Sequence, residues 1–291
     1  MPEKSGYGSA VKKAEIASAL YHLGLGPGAG LMVHASVKSF GRVEGGAQAV
    51  IDALMEVITP SGTLMMPSFN HGAPFGPGGA GYFHPGETPT TNGLIPETFR
   101  RRPDVCRSLN PTHAFAAWGR HARRYTELHH RTLAMGPASP LGLLHADGGY
   151  GLLIGVGYGV NTFHHAVETI TGAPCLGKRT EAYPMVLPDG RLVEGRSWGW
   201  RERPCPFTDQ GQYTPEMLDR QVETTVGESR LILFKLADCY DAISTLLRHG
   251  RGDLPPCGRC PTRPRKVVQT VASDWDEARE CLLPDSAAWH Y

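Results

Sequence analysis

The sequence predicts an α/β fold built on a parallel sheet covered by helices, and three observations carry that expectation. Apolar runs of strand length, at residues 31–33, 63–66, 151–156 and 231–236, recur between stretches with helical spacing. The first two runs enclose a loop and a helical stretch, and this β-loop-α-β order packs most simply as two parallel strands joined by a helix. The chain also carries 36 glycines and 24 prolines in 291 residues, which implies many tight turns and several long loops.

In chain order, residues 11–23 place Ile16, Leu20 and Leu23 on one helical face. A buried strand at 31–33 leads through a loop, 35–45, into a helix at 46–58 that aligns Val50, Leu54 and Val57, and then into the strand at 63–66. Residues 70–92 are dense in Gly, Pro, Thr and His and lack periodicity; so long a loop in a compact domain is usually a lid or a site wall. A helix at 94–102, a strand at 113–118 and a helix at 121–130 follow. The strand at 151–156 runs through Gly157-Tyr158-Gly159 into a helix that starts near Asn161, and residues 186–193 form a hairpin turning at Asp189-Gly190. A strand at 231–236 and a helix at 238–249 close the domain. We therefore place an α/β domain at residues 10–250 and an irregular Cys- and Pro-rich appendage at 251–291.

Composition narrows the function. With 41% hydrophobic and 20% charged residues the chain is not wholesale disordered, and Lys+Arg 29 against Asp+Glu 28 leaves no global field aimed at nucleic acid or a membrane. The basic runs Arg100-Arg101-Arg102 and Arg263-Pro264-Arg265-Lys266 read as solvated surface. Residues 1–9 lack the apolar stretch of a signal peptide, no segment approaches the roughly 20 apolar residues that span a bilayer, and seven scattered cysteines do not form a disulfide framework. A reducing, cytoplasmic location is the expectation.

The most informative segment is Gly155-Val156-Gly157-Tyr158-Gly159-Val160-Asn161-Thr162-Phe163-His164-His165-Ala166-Val167-Glu168. A strand ends in glycines, Asn161 or Thr162 can cap the next helix, and His165 falls in its first turns with Glu168 three residues on, on the same face. Open α/β sheets bind ligands at this edge, and a positive helix end favours the neutral imidazole that a general base needs. Glu168 is placed to orient the imidazole or to hold an ammonium group.

Val33-His34-Ala35-Ser36-Val37-Lys38-Ser39-Phe40-Gly41 is a second candidate, a Ser-rich strand-to-helix turn with free N–H groups for phosphate but neither Walker nor dinucleotide spacing. In Asn110-Pro111-Thr112-His113 the proline restrains its neighbour, so Thr112 and His113 are held as a wall or a strand start. Cys257-Gly258-Arg259-Cys260 has zinc-ligand spacing, with Cys205 as the third ligand and Cys175, Cys239 or a histidine completing a structural site that would pin the appendage. A catalytic metal would need His34, His71, His84, His113 and His165 to converge from separate segments without any HExxH.

Taken together these segments resemble the aminoglycoside 3-N-acetyltransferase family, over roughly residues 10–240. Val33-His34-Ala35-Ser36 with Ser39-Phe40-Gly41 is similar to its VHSS…SFG, and Gly62-Thr63-Leu64-Met65-Met66-Pro67-Ser68-Phe69 to its GTLVMPTF. Phe83-His84-Pro85, Thr88-Pro89 and Gly93-Leu94-Ile95-Pro96-Glu97 follow in the family's order, as does Arg107-Ser108 with Pro111-Thr112-His113. Leu153 to Glu168 is similar to LLGVGLNSNTALHLAE. The resemblance implies a three-layer α/β/α core with a mixed, mostly parallel sheet, and transfer of an acetyl group from acetyl-CoA to an amine, the 3-amino of an aminoglycoside's deoxystreptamine ring. It places the catalytic histidine at His165 and its glutamate at Glu168. Coenzyme A contacts fall at Ser36, Val37, Ser39 and Phe40, with Thr112 and His113 near the thioester. Main-chain N–H groups and a hydroxyl, Ser36 or Ser68, would hold the oxyanion. A C-terminal CxxC in some branches adds to the expectation of structural zinc on Cys205, Cys257 and Cys260.

The departures are specific. Asn110 and Ala114 replace the family's histidine and serine, and His164 stands where its motif has leucine, leaving the base open between His164 and His165. A polycationic drug needs local acid, for which Glu168, Asp147, Glu181, Glu202 and Asp209 are candidates. Two alternatives stay open: the same transfer to a different amine, and a zinc-dependent binding module or hydrolase. A homodimer is compatible with either enzyme reading.

Overall fold

The computed structural model describes residues 9–171, 173, 178–179, 182–195, 198–200, 205, 207–252 and 254–259. Cys175, Glu181, Glu202, Cys260, the basic run at 263–266 and most of the appendage lie outside them. The described elements in chain order are α1 (Lys13–His22), β1 (Gly30–Ala35), α2 (Gly46–Ile58), β2 (Thr63–Pro67), α3 (Leu94–Arg100), β3 (Cys106–Arg107), β4 (Phe115–Gly119), α4 (Ala122–Thr126) and α5 (Pro140–Ala146). They continue with β5 (Tyr150–Ile154), α6 (Phe163–Ile170), β6 (Lys178–Arg179), β7 (Tyr183–Val186), β8 (Leu192–Gly195), β9 (Trp198–Trp200), α7 (Thr214–Met217), β10 (Gln221–Val226), β11 (Ser229–Lys235) and α8 (Leu236–His249).

Seven strands form one sheet in the order β10-β11-β5-β1-β2-β4-β3. β1 is parallel to both β2 and β5, whereas β4 and β11 run against their neighbours. Five of the seven strands thus share one direction, and β4 and β11 oppose it. Alternation along each strand splits the apolar side chains between two cores. Leu31, Val33, Leu64, Met66, Leu152 and Ile154 join α1, α2 and α3 on one face. Met32, Met65, Leu153, Ile232 and Phe234 join side chains of α4, α5, α6 and α8 on the other. The result is three layers, α/β/α. Helix α2 carries most of the first core: Val50, Ile51, Leu54, Val57 and Ile58 are wholly buried, and each such aliphatic stabilises the fold by roughly 1.5–3 kcal/mol before entropy is counted.

Two differences from the sequence reading have local causes. Helix α5 starts on Ser139, whose side chain accepts from the N–H of Gly142, with Pro140 in the first helical position; its seven residues are too few for a periodic signal. Strand β10 alternates poorly and is mostly exposed, because it is the sheet edge and only β11 pairs with it. The reading of Arg100 as solvated surface is corrected. Its guanidinium is buried, donates to both Glu97 oxygens at 2.6 and 2.7 Å and reaches the carbonyl of Gly86 at 2.9 Å.

Gly155 fixes the exit of β5. Its φ is +63°, and a Cβ there would lie 1.8 Å from Ser39 Oγ, so no larger residue fits. Among the described residues no helix is long and apolar enough to cross a membrane.

Candidate active site

The parallel strands β1, β2 and β5 deliver their carboxyl ends to one edge, and the site residues gather there. Helix α6 is set by the segment between β5 and its first turn. Asn161 Oδ1 accepts from the N–H of Phe163 at 3.2 Å while its amide donates to Tyr213 Oη at 3.1 Å. The N–H of Thr162 donates to His34 Nε2 at 3.2 Å, and Thr162 Oγ1 lies 3.0 Å from the same nitrogen. That nitrogen is an acceptor, so the proton of neutral His34 sits on Nδ1. His34 is buried and pushed down to about 3, first by burial and then by His164. It anchors the start of α6 to β1.

His165 Nδ1 lies 3.1 Å from Glu168 Oε2. Glu168 is completely buried, whereas the side chain of His165 is 37% exposed. The other carboxylate oxygen accepts the hydroxyl proton of Thr208. An ionised carboxylate only accepts, so Nδ1 donates to it, and in the neutral ring the lone pair is on Nε2. Nε2 in turn lies 3.2 Å from His164 Nε2, which is 3.3 Å from Asp209 Oδ1. His164 is buried and pushed down to about 4, chiefly by burial and then by His165. Asp209 also accepts from the main-chain N–H of Cys205 at 2.6 Å, which links Cys205 to the residue that meets His164 of α6.

A second group borders this one. His113 Nδ1 lies 2.8 Å from Thr112 Oγ1, and Asn110 Oδ1 accepts the N–H of His113 at 2.8 Å. Burial, then the charges of His71, His165 and His129, hold His113 well below the usual histidine range. The rings of His71 and His113 meet edge to face at 5.4 Å, and His71 reaches Thr91 Oγ1 at 2.6 Å. The loop expected at 70–92 folds over this wall and forms a half-open cavity of 280 Å³ lined by Asn70, Pro74, Tyr82, Glu87, Thr88 and Thr91. Arg107, buried beneath the loop, holds it by donating to the carbonyls of Pro85, Thr88 and Ser68.

The remaining predicted residues divide. Ser39 Oγ donates to the carbonyl of Ser36 at 2.6 Å and meets Ser229 Oγ at 2.8 Å, pinning the turn after β1 to β11. Phe40 is buried in the first core with Val37 packed against it, and the Phe40 carbonyl accepts from the N–H of Glu228 at 3.4 Å. Ser68 is fully buried and its Oγ has no hydrogen-bond partner among the described residues.

The metal expectation fares differently. Cys205 is buried beside Glu168; burial, then that carboxylate, pushes its thiol up to about 11. Cys257 instead packs against the second core. Among the described residues no group of three His, Cys, Asp or Glu with converging ligand atoms includes either cysteine, and Cys260 lies outside the described residues. Of the acid candidates, Glu168 and Asp209 are at the site. Asp147 pairs with Arg124 and Tyr125 just before β5, at the opposite edge of the sheet. Sequence reasoning missed Thr208 and the partnership of Asp209 with His164. Both follow from a fold contact across 40 residues or more, and no local pattern marks them.

A half-buried histidine paired with a wholly buried carboxylate thus stands at the carboxyl edge of an α/β sheet. Similarity to known proteins gives the family. The family description that matches residues 32–248 is that of the aminoglycoside 3-N-acetyltransferases, and the chain belongs to this family. It is similar to the SPbeta prophage-derived aminoglycoside N(3')-acetyltransferase-like protein YokD of Bacillus subtilis, with 37% identity over 174 residues, 54% of this chain and 64% of that one. It is also 37% identical over 196 residues to aminoglycoside N(3)-acetyltransferase III of Pseudomonas aeruginosa, covering 62% of this chain and 71% of the relative. The crystal structure of the aminoglycoside acetyltransferase AAC(3)-IVa in complex with a gentamicin superposes with a TM-score of 0.71 at 29% identity, over 96% of this chain and all of that one.

Proposed function

We propose that this chain transfers the acetyl group of acetyl-CoA to the 3-amino group of an aminoglycoside's deoxystreptamine ring, directly, with His165 as general base. The observation that carries the reading is the His165–Glu168 pair, with Nδ1 held at 3.1 Å by a buried carboxylate and the His165 side chain 37% exposed. An ammonium cannot attack a thioester. The ammonium first releases one proton to solvent; as the neutral amine nitrogen then bonds to the carbonyl carbon, a second proton passes to His165 Nε2, and Glu168 stabilises the imidazolium that forms. Main-chain N–H groups at the strand ends, with the hydroxyl of Ser36 or Ser68, stabilise the oxyanion. The C–S bond then breaks, the acetamide forms, and the imidazolium returns a proton to the departing thiolate. Thr112 and His113 form the wall beside the thioester, and the turn from Ser36 through Val37 and Ser39 to Phe40 holds the coenzyme largely through main chain. The gentamicin bound in the AAC(3)-IVa structure supports the substrate class.

Purified protein with acetyl-CoA, a thiol-detecting dye and an aminoglycoside panel tests this. Drug-dependent thiol release is expected, and its absence with every drug defeats the substrate assignment. One observation favours transfer to another, less charged amine: the described acids at the site, Glu168 and Asp209, are already committed to histidines and to Thr208 and Cys205. Turnover on monoamines alone would select that reading.

A further inference from the structure

His164 is one of the positions where this chain departs from the motif it resembles, and its surroundings have a shape that proton transfer does not call for. We infer that His164 Nε2, His165 Nε2 and Asp209 form a binding site for a borderline divalent cation of the zinc or cobalt type, and that an ion there silences the enzyme. The three ligand atoms all lie within 4.8 Å of one another. Ligand atoms bound at 2.0–2.1 Å to a tetrahedral ion stand about 3.3 Å apart. The two nitrogens are separated by 3.2 Å, and His164 Nε2 and Asp209 Oδ1 by 3.3 Å.

The surroundings fit the same chemistry. Glu168 on His165 Nδ1, backed by Thr208, is the carboxylate–histidine arrangement that orients a metal-binding imidazole and raises its basicity. Two neutral imidazoles and one carboxylate suit a borderline ion better than magnesium or calcium, which prefer oxygen. His164 is buried, while the side chains of His165 and Asp209 are 37% and 24% exposed, so an ion can enter from solvent and keep a water ligand. With leucine at position 164 the site would lose its central ligand.

Binding follows from the geometry alone. Inhibition rests also on the reading of His165 as base, because the ion would take the lone pair that receives the amine's proton.

The test is titration of chelator-treated full-length protein with cobalt(II), followed by visible absorption, with zinc as competitor and magnesium as control. We expect ligand-field bands that zinc abolishes and magnesium leaves alone. His164→Leu and Asp209→Asn, checked for native melting, should each weaken cobalt at least about tenfold, since losing a direct ligand costs no less than losing an outer-shell partner. Absent bands, bands retained in both variants, or bands lost only in Cys257→Ser would overturn the site. Cobalt binding without loss of acetyl transfer keeps the site and removes His165 as base.

Discussion

Replacing Glu168 by glutamine isolates the charge of the buried carboxylate. The amide oxygen can still accept from His165 Nδ1 and the amide N–H can donate to Thr208 Oγ1, so both contacts of Glu168 survive in shape. What disappears is the attraction between the carboxylate and the imidazolium that forms as the amine attacks. At about 4 Å and an effective dielectric near 20, two unit charges attract by about 4 kcal/mol. The side chain of His165 is 37% exposed, and water screening on that side reduces the attraction to about 2 kcal/mol. At 1.36 kcal/mol per factor of ten, kcat falls roughly 30-fold. Steady-state thiol release gives kcat and both KM values, and thermal melting confirms that the variant is folded. We expect the loss in kcat, with KM for acetyl-CoA unchanged. A folded Glu168→Gln protein with wild-type kcat would refute the reasoning, because the carboxylate would then do no electrostatic work in the transition state.

Other perturbations follow from the same geometry. Thr208→Val leaves a wholly buried carboxylate oxygen without its donor and should lower unfolding stability by about 1–3 kcal/mol, measured by urea denaturation; an unchanged midpoint would mean that the hydroxyl contact is idle. Arg107→Ala strips the buried carbonyls of Thr88 and Ser68 and the part-buried one of Pro85 of this donor and should cost at least about 2 kcal/mol while loosening the 70–92 loop, seen as faster proteolysis there. Acid should destabilise the fold in a defined window. His129 and His164 are held at about 4 against 6.5 unperturbed, both chiefly by burial. The unfolded chain therefore binds protons that the native state refuses, and stability is full above pH 6.5 and declines towards pH 4. A melting temperature that is flat across that window contradicts the buried neutral assignment.

Much of this was legible in the sequence because it is local. The helix of residues 46–58 has the bounds its apolar periodicity gives, since Val50, Leu54 and Val57 all face the sheet. The His165–Glu168 pair is a three-residue spacing on one helix, which any helical pitch brings together. The ends of the sheet were harder. Strand β10 carries mostly exposed residues on an edge, so no burial pattern betrays it. Arg100 looked like part of a charge run, yet Glu97 one turn earlier lies beneath it and draws it in. The support behind the His165–Glu168 pair was invisible for a different reason. Thr208 and Asp209 sit in an irregular stretch, and only the fold carries them back across α6 to Glu168 and His164. Cys205, offered as a zinc ligand because of a CxxC far along the chain, neighbours a carboxylate in space, and no converging ligand group among the described residues includes it.

The most direct measurement compares wild-type protein with His165→Ala in drug-dependent thiol release from acetyl-CoA, with calorimetric binding of coenzyme A and drug alongside. The account predicts a loss of roughly 10² to 10⁴ in turnover, with both ligands still bound. Undiminished turnover in that variant, or loss only in His164→Ala, would contradict it.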